Sequence, residues 1–581
     1  MTRGLLCSAL VLSFCYACSN SPTDSGGGSG NATGNGGSVG NAGNGSSPGG
    51  TASSVGGANS MGGATTAGGS GGSVGVAGGA GGVTGGAGTS AGGMGPINVG
   101  ESVTQRGGDS ARTAHWVEPN FTTANAAKMA PDANFKATFT GEMTGVPLFV
   151  ASTTPGNGMF IVATTQNDVY ALNETTGAIV WGPHNIGAGK NNGPGPGIQH
   201  GGIVSTPVID AVGRVVYVAA AMAANRHEIH ALSIDTGMEM PGGWPVDVSK
   251  VTSGTAPNVT TFSFGVQNQR SALSLVNGVV YVAFGGYYGD GGTYHGWVVS
   301  VNAKDPTKVG GWATQGVAEG IWAPGGLASD GNGVFAVTGN SHSANGNHAM
   351  SDGEEVVRVT GMSTVTRDDN NIFFPDIWSS GMDNGDLDFG ACSPAVVSVP
   401  GSTPATIVVA PAKPGRIYLL DPAKLGGMAG QLADIVVADT GHESVYTSPT
   451  AYQTAAGVNI AISTSLNSVC PGGVSNSNLM GLFLKAGSPP TPMIKWCAKT
   501  SDDDEVRRRS PVSTNSNATG ADPIVWFMNG SALAAFNGDT GAAIPLTGGN
   551  CPGIHRHTAP IVANGRVIAG ADGHLCSWSV H

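Results

Sequence analysis

Residues 205–221 read STPVIDAVGRVVYVAAA. A small residue and a proline open a short apolar run, Gly213 and Arg214 turn the chain, and a second run follows that is apolar at consecutive positions from Val215 to Ala221. A strand with one solvated face would alternate, so this run must be buried on both faces. The pattern recurs in VPLFVAS (146–152), RSALSLVNGVVYVAFGG (270–286), APGGLASDGNGVFAVTG (323–339), CSPAVVSVPGSTPATIVVAPA (392–412), TSPTAYQTAAGVNIAIST (447–464), RSPVSTNSNATGADPIVWFM (509–528) and TAPIVANGRVIAGA (558–571). Together these make eight units whose onsets, Pro147 to Pro560, lie about 50 to 70 residues apart.

Each unit continues into a third run and a turn, as in DVYALNETTGAIVW, EIHALSIDTGMEM, GRIYLLDPAKLGG and SALAAFNGDTGAAI. Asn277-Gly278 and Asn564-Gly565 are hairpin dipeptides. Four-stranded antiparallel sheets stacked face to face around an axis bury both faces and leave only short edges. The last unit has only the 21 residues Ile561 to His581 after Pro560, too few for four strands. A strand from Phe135 to Thr140 would complete it and close the ring. The expected fold is therefore all-β, an eight-bladed β-propeller of four-stranded antiparallel blades.

The ring does not account for the whole chain of 581 residues, 97 of them Gly. Arg3 and the apolar run Leu5 to Tyr16 have the basic start and short hydrophobic region of an export signal, too short for a spanning helix. The run ends in CYAC, which resembles the lipobox of bacterial lipoproteins and implies a lipidated Cys18, with ordinary cleavage near Ala17 as the alternative; Ser19 after it implies passage to the outer membrane. Residues 1–17 thus read as a lipoprotein signal peptide, 18–108 as a disordered Gly/Ser/Ala-rich linker and 109–581 as the propeller. A flexible tether of this length has a root-mean-square span of about 50 Å. The expected location is the outer membrane, lipid-anchored, facing the periplasm or the cell exterior.

Arg3 and Asp24 cancel, so the formal net charge of -12 belongs to the folded part. That argues against nucleic acid and anionic membrane surfaces as partners. Of the eight cysteines, Cys7 and Cys15 leave with the signal. Five then remain besides Cys18; within single units Cys470 would pair with Cys497 and Cys551 with Cys576, leaving Cys392. No CxxCH occurs, so no covalent haem is encoded.

The unit ending YALNETTGAIVW resembles the tryptophan-docking repeat of the pyrroloquinoline-quinone (PQQ) dehydrogenase propellers, here in a bacterial lipoprotein form. The resemblance runs from about Pro147 to Trp578, through NGVVYVAFGGYYGDGGTYHGWVVSVNA, GIWAPGGLASDGNGVFAVTGN, GDLDFGACSP and AKPGRIYLLDP. It implies PQQ and Ca²⁺ as cofactors. It puts Asp388 in the place of the general base on the alcohol, Lys413 where a basic side chain hydrogen-bonds the quinone oxygens, and Asn340 where an amide coordinates the cation. A cation and a basic group stabilise charge on a quinone while a carboxylate takes the alcohol proton. In the bland alternative, Asp386 and Asp388 cap turns, Asn340 fills a Gly-Asn turn and Lys413 fixes a hairpin. The vicinal cysteine pair of many such dehydrogenases is missing, and so is a clear calcium-binding glutamate, for which Glu228, Glu319 and Glu354 are substitutes.

Residues just before each innermost strand should ring the channel: His200, Gln269, Arg270, Trp322, Asp388, Tyr446, Arg508 and His557. Arg270 and Trp322 join Lys413 and Asn340 as cofactor-binding candidates. Asp383, Asp386 and Asp388 in DNGDLD offer oxygen ligands for Ca²⁺, so Asn340, Asp386 and Asp388 form the metal set. HRH (555–557) could bind metal, but no third ligand is near in sequence. Asp502–Glu505 with Arg507–Arg509 reads as a solvated, self-compensating loop. Two functions follow. One is a PQQ-dependent oxidoreductase acting on an alcohol or sugar hydroxyl. The other is a non-catalytic surface propeller that binds protein or glycan, similar to the lipoprotein propeller of the outer-membrane barrel-assembly machine.

Overall fold

Runs such as Val215–Met222 and Val279–Gly286 are buried at every position, and the chain satisfies them by stacking sheets on both sides. The computed structural model describes residues 97–98, 101–255, 258–341, 351–465, 468–473 and 477–581. The signal peptide, Cys18 and nearly all of the linker lie outside them. Eight antiparallel blades form the ring, and all eight repeats found in the sequence supply an innermost strand or bridge.

Blade 1 comprises Leu148–Val150, Met159–Ala163, Asp168–Asn173 and Ile179–Asn185. Blade 2 comprises Val208–Asp210, Val215–Met222, Arg226–Ser233 and Val246–Asp247. Blade 3 is built on Ser274–Val276 and blade 4 on the bridge from Ala328 to Phe335. Blades 5, 6 and 7 begin at Ala395–Ser398, Thr450–Thr454 and Val512–Asn515. Blade 8 has Ile561–Ala563, Arg566–Ala571 and His574–Val580. Its fourth strand comes from the start of the ring: Ala137 and Thr138 pair with Leu575 and His574, inside the expected closing segment, and Met129–Pro131 extends the pairing to Val580.

Neighbouring blades are locked by aromatic donors. Trp181 Nε1 of blade 1 donates to Ile234 O of blade 2 at 2.7 Å, and Trp496 Nε1 of blade 6 to Gly538 O of blade 7 at 2.7 Å. Each indole lies on a turn glycine with positive φ, Gly237 and Gly541, where a Cβ would come within 2.6 Å of the ring. Cys470–Cys497 and Cys551–Cys576 are disulfide-bonded, and Cys392 is a buried free thiol.

The segment Val103 to Glu118 has no counterpart in the sequence reading, which places residues up to 108 in the linker. It threads the channel as a strap and bonds to every blade, at the innermost element of blades 1 to 7 and at the hairpin turn of blade 8. Val103 exchanges backbone bonds with Phe149 (2.8 and 3.0 Å), and Thr104 O accepts from Ile209 N at 2.7 Å. The carbonyls of Ser110, Ala111, Thr113 and Ala114 accept from Ser329, Val396, Ala451 and Ser513 at 2.7 to 3.0 Å. His115–Val117 then runs parallel to Ser513–Asn515, and Glu118 Oε2 accepts from Gly565 N at 2.9 Å. The third blade is reached by Arg112, which is 2% exposed with φ 63°. Its guanidinium donates to Leu273 O (2.9 Å), Ser274 Oγ (2.5 Å), Leu327 O (3.1 Å) and Arg106 O (2.6 Å).

Removing the Arg112 guanidinium strands several buried carbonyls, each costing about 1–3 kcal/mol. Arg112→Ala should therefore lower stability by roughly 3 kcal/mol or more, read as an earlier denaturant midpoint. Deletion of residues 19–96, which stops short of the Ile97–Asn98 strand paired with Trp116 and Val117, should leave the midpoint unchanged.

Candidate functional site

A turn-rich stretch between blades 4 and 5 brings the sequence candidates together. A short π-helical turn, Trp378–Met382, and two 3-10 turns, Asp383–Gly385 and Phe389–Ala391, fold residues 378–391 back against the Thr338–Ser341 segment. Asp388, 7% exposed, receives Asn340 N on Oδ1 at 3.1 Å and Lys413 Nζ on Oδ2 at 2.9 Å. Lys413 also donates to Asp386 O at 2.8 Å and pairs with Glu443 at 2.6 Å. Burial opposes its charge, but Asp388 and Glu443 outweigh that and hold the ammonium well above its ordinary range. Trp322, 7% exposed, donates its indole N–H to Gly286 O and packs against Gly339, with the Arg270 guanidinium 5.9 Å from its ring centroid.

Asn340 Oδ1 and Glu354 Oε1 are buried acceptors here with no hydrogen-bond partner among the described residues. Glu354 Oε2 takes Phe389 N at 2.6 Å, and burial followed by Asp388 raises its carboxyl well above the usual range. Of the three glutamates named as substitute cation ligands, Glu354 is the one placed beside Asp388. Glu319 lies behind Ser341, which donates to it at 2.9 Å, while Glu228 pairs with Arg226 and His230 on blade 2. The sequence-derived set Asn340, Asp386 and Asp388 is rearranged. Asp386, with its side chain 72% exposed, accepts Asn340 Nδ2 at 2.8 Å and points to solvent. Its αL backbone at a turn end places it there.

Next to this cluster the channel holds a cavity of about 280 Å³. Arg106 of the strap, Arg270, Arg508 and Arg556 form its cationic wall around His557, with Tyr288 at the rim and Asp504 as the one carboxylate among the described lining residues. Arg508 is held by Asp504 (2.9 Å) and lies 3.7 Å from the Tyr446 ring centroid, while Arg556 is held by Glu505. Buried Arg106 Nη2 and Arg270 Nε have no partner. Burial and then Arg112 push Arg106 down to about 9; burial and then Arg508 push Arg270 down to about 10. His557 is driven well below its ordinary value by burial and the surrounding arginines. Such a wall is built for an anion.

Of the nominated channel ring, Arg270, Arg508 and His557 line this cavity. Gln269 turns aside to Ser271 O, and His200 joins Glu142. The acidic-basic run 502–509 is not a solvated loop: Asp504 and Arg508 face the channel and Val506 is buried. Arg106 and Arg556 were missed because one sits in linker-like sequence and the other beside two more conspicuous histidines.

No family model and no curated protein matches this sequence. Solved structures do. The quinohemoprotein alcohol dehydrogenase of Comamonas testosteroni aligns with TM-score 0.54 and 14% identity over 82% of this chain and 80% of its own. Its counterpart from Pseudomonas putida gives 0.55 and 12% over 83% and 80%. A europium-containing methanol dehydrogenase gives 0.51 and 13% over 82% and 90%. The likeness is one of fold. This chain shares the propeller fold of those dehydrogenases, and the chemistry must be argued from the residues above.

Glu319, buried and beside Asp352, is raised to about 7 by burial first and by that neighbour second. A carboxyl raised in the fold contributes stability fully below its unfolded value near 4.5 and loses it as pH climbs through the folded value. Glu319→Gln should therefore gain on the wild type between pH 5 and 8, by up to about 3 kcal/mol, measured by denaturation at each pH.

Proposed function

We propose that the protein is an exported, membrane-tethered quinoprotein-type oxidoreductase that acts on an alcohol or sugar hydroxyl and holds PQQ in the channel cavity. The observation that carries this reading is the convergence of Asp388, Lys413, Asn340 and Trp322 beside a cationic cavity. Those four come from three sequence blocks, with Trp322 and Asn340 sharing one, brought together by blades 4 and 5.

The donor set suits both implied groups. PQQ is a tricarboxylate, and the unpartnered nitrogens of Arg106 and Arg270 offer it charge-assisted hydrogen bonds. A hard cation suits the unpartnered oxygens of Asn340 and Glu354. When bound, the quinone would supply the two-electron acceptor. Asp388, paired with Lys413, would accept the hydroxyl proton of the substrate at Oδ2. Lys413 would hold that carboxylate in place and meet negative charge developing nearby. Tyr288, exposed and lining the cavity, stands where a substrate would enter.

Purified protein titrated with PQQ and Ca²⁺ should bind the quinone at micromolar concentration and reduce a dye with an alcohol donor. Asp388→Asn should cut that rate by about 10²-fold or more while PQQ affinity stays within a few-fold. Absence of quinone binding would overturn the oxidoreductase reading in favour of a non-catalytic surface propeller.

Anchoring has its own check. Cys18→Ser should release the protein from the membrane fraction in a lipid-labelling and fractionation assay, with the propeller still folded.

A further inference from the structure

The ring closes where blade 8 meets blade 1, and a second polar cluster sits on that seam, separate from the Asp388 site. Glu142, just before the first strand of blade 1, His555, just before blade 8, and Asp572, in the hairpin Ala571–His574, place one ligand atom each within 4.8 Å of one another. His555 Nε2 lies 2.9 and 3.0 Å from the two oxygens of Asp572. His200 Nδ1 approaches Glu142 Oε2 at 3.3 Å from the other side.

From these positions we infer that Glu142, His555 and Asp572, with His200 adjoining, form a binding site for a divalent transition-metal ion of the Zn²⁺ class that clasps the closing seam of the propeller.

The chemistry of the donors selects the ion. Imidazole nitrogen with two carboxylates suits Zn²⁺ and its neighbours, whereas Ca²⁺ takes oxygen alone. Bonds of about 2.0–2.2 Å around a tetrahedral ion set ligand atoms roughly 3.4 Å apart, a spacing within reach of the observed group. The ligands are held from behind. Glu142 accepts from Gln199 N, His200 N and Thr165 Oγ1 at 3.0 to 3.2 Å. Asp572 Oδ1 accepts from Met143 N at 3.1 Å, tying the hairpin of blade 8 to the entry of blade 1. Arg509 fixes the backbone beneath His555, donating to Ile554 O at 2.6 Å and His555 O at 3.3 Å. The side chains of Asp572 and His200 are 38% and 37% exposed, which gives an ion and a water ligand a way in.

The sequence offers His555 and His557 as a pair, but the structure separates them. His557 faces the channel arginines, and the partners of His555 come from 413 residues before it and 17 after (555 − 142 and 572 − 555). A second group, Cys551, His574 and Cys576, also lies on blade 8, but its two sulfurs are bonded to each other.

The test uses the folded, oxidised protein stripped with EDTA and kept free of thiol reductant. Titration calorimetry with Zn²⁺ should show about one equivalent bound at micromolar concentration. Co²⁺ should give visible ligand-field bands, and saturating Zn²⁺ should raise the thermal midpoint. His555→Gln and Glu142→Gln should weaken binding by roughly tenfold or more and abolish that rise, whereas His574→Ala should change neither. No Zn²⁺ or Co²⁺ binding below about 100 µM would overturn the assignment, and so would binding unaffected by His555→Gln or lost in His574→Ala. If a variant fails to fold, the Co²⁺ spectrum of the wild type decides alone. Quinone binding in the channel is a separate readout, so either reading can fail without the other.

Discussion

A ring of blades leaves a row of unpaired backbone groups where its innermost strands face the axis, and this chain satisfies that row with its own strap. Backbone groups buried without partners are costly, and strand edges left open invite other chains. Val103 to Glu118 covers the inner edges of six blades by direct hydrogen bonds, and reaches blade 3 through Arg112 and the hairpin turn of blade 8 through Glu118. The positive φ of Arg112 is the local cost of aiming one side chain at the carbonyls of blades 3 and 4 together. Because the strap touches every blade, it couples them more directly than contacts passed from neighbour to neighbour. It also contributes Arg106 to the wall of the channel cavity.

Electrostatics set that cavity apart. The chain carries a net charge of -12, yet the cavity wall is cationic. The acids gather instead behind the 378–391 turns, where Glu319, Glu354 and Glu355 are buried with raised carboxyl values. Lys413 lies between the two regions, bonded to Asp388 and Glu443, and Glu443 in turn faces Arg508 at 4.0 Å. Opposite charges have been sorted across a few ångströms of low-dielectric interior, where each polarises the other more strongly than in water. An anion in the cavity and a cation at Asn340 and Glu354 would each complete one side of that arrangement.

How much of this could be read from residues depended on what held them. The eight innermost elements were legible because burial on both faces leaves consecutive apolar residues, a signal that survives turns of any length. The disulfide pairs followed from unit boundaries. The closing strand was legible at Ala137 and Thr138, because the last repeat is visibly short, and not at Met129–Pro131, which has no apolar run. The strap was illegible because backbone carbonyls do most of its bonding, and RGGDSA at 106–111 looks like the linker that precedes it. Asp388, Lys413 and Asn340 came from a family resemblance. Composition could not have distinguished the carboxylate that meets Lys413 from Asp386, two residues away and turned to solvent by an αL backbone.

The strap also ties the site to the ring as a whole. Along the chain, Ile97 and Asn98 run parallel to Trp116 and Val117, Val103 then exchanges paired backbone bonds with Phe149, and Thr104 O takes Ile209 N. The next fixed points are Arg106, on the cavity wall, and Arg112, on the axis. Arg106 O is itself bonded to the Arg112 guanidinium, so displacement of the cavity wall requires displacement of the hub, and with it the carbonyls of two blades. Coverage of the inner blade edges and the Arg106 part of the cavity wall are thus properties of one sixteen-residue segment (103–118), and a change that loosens it would act on both together.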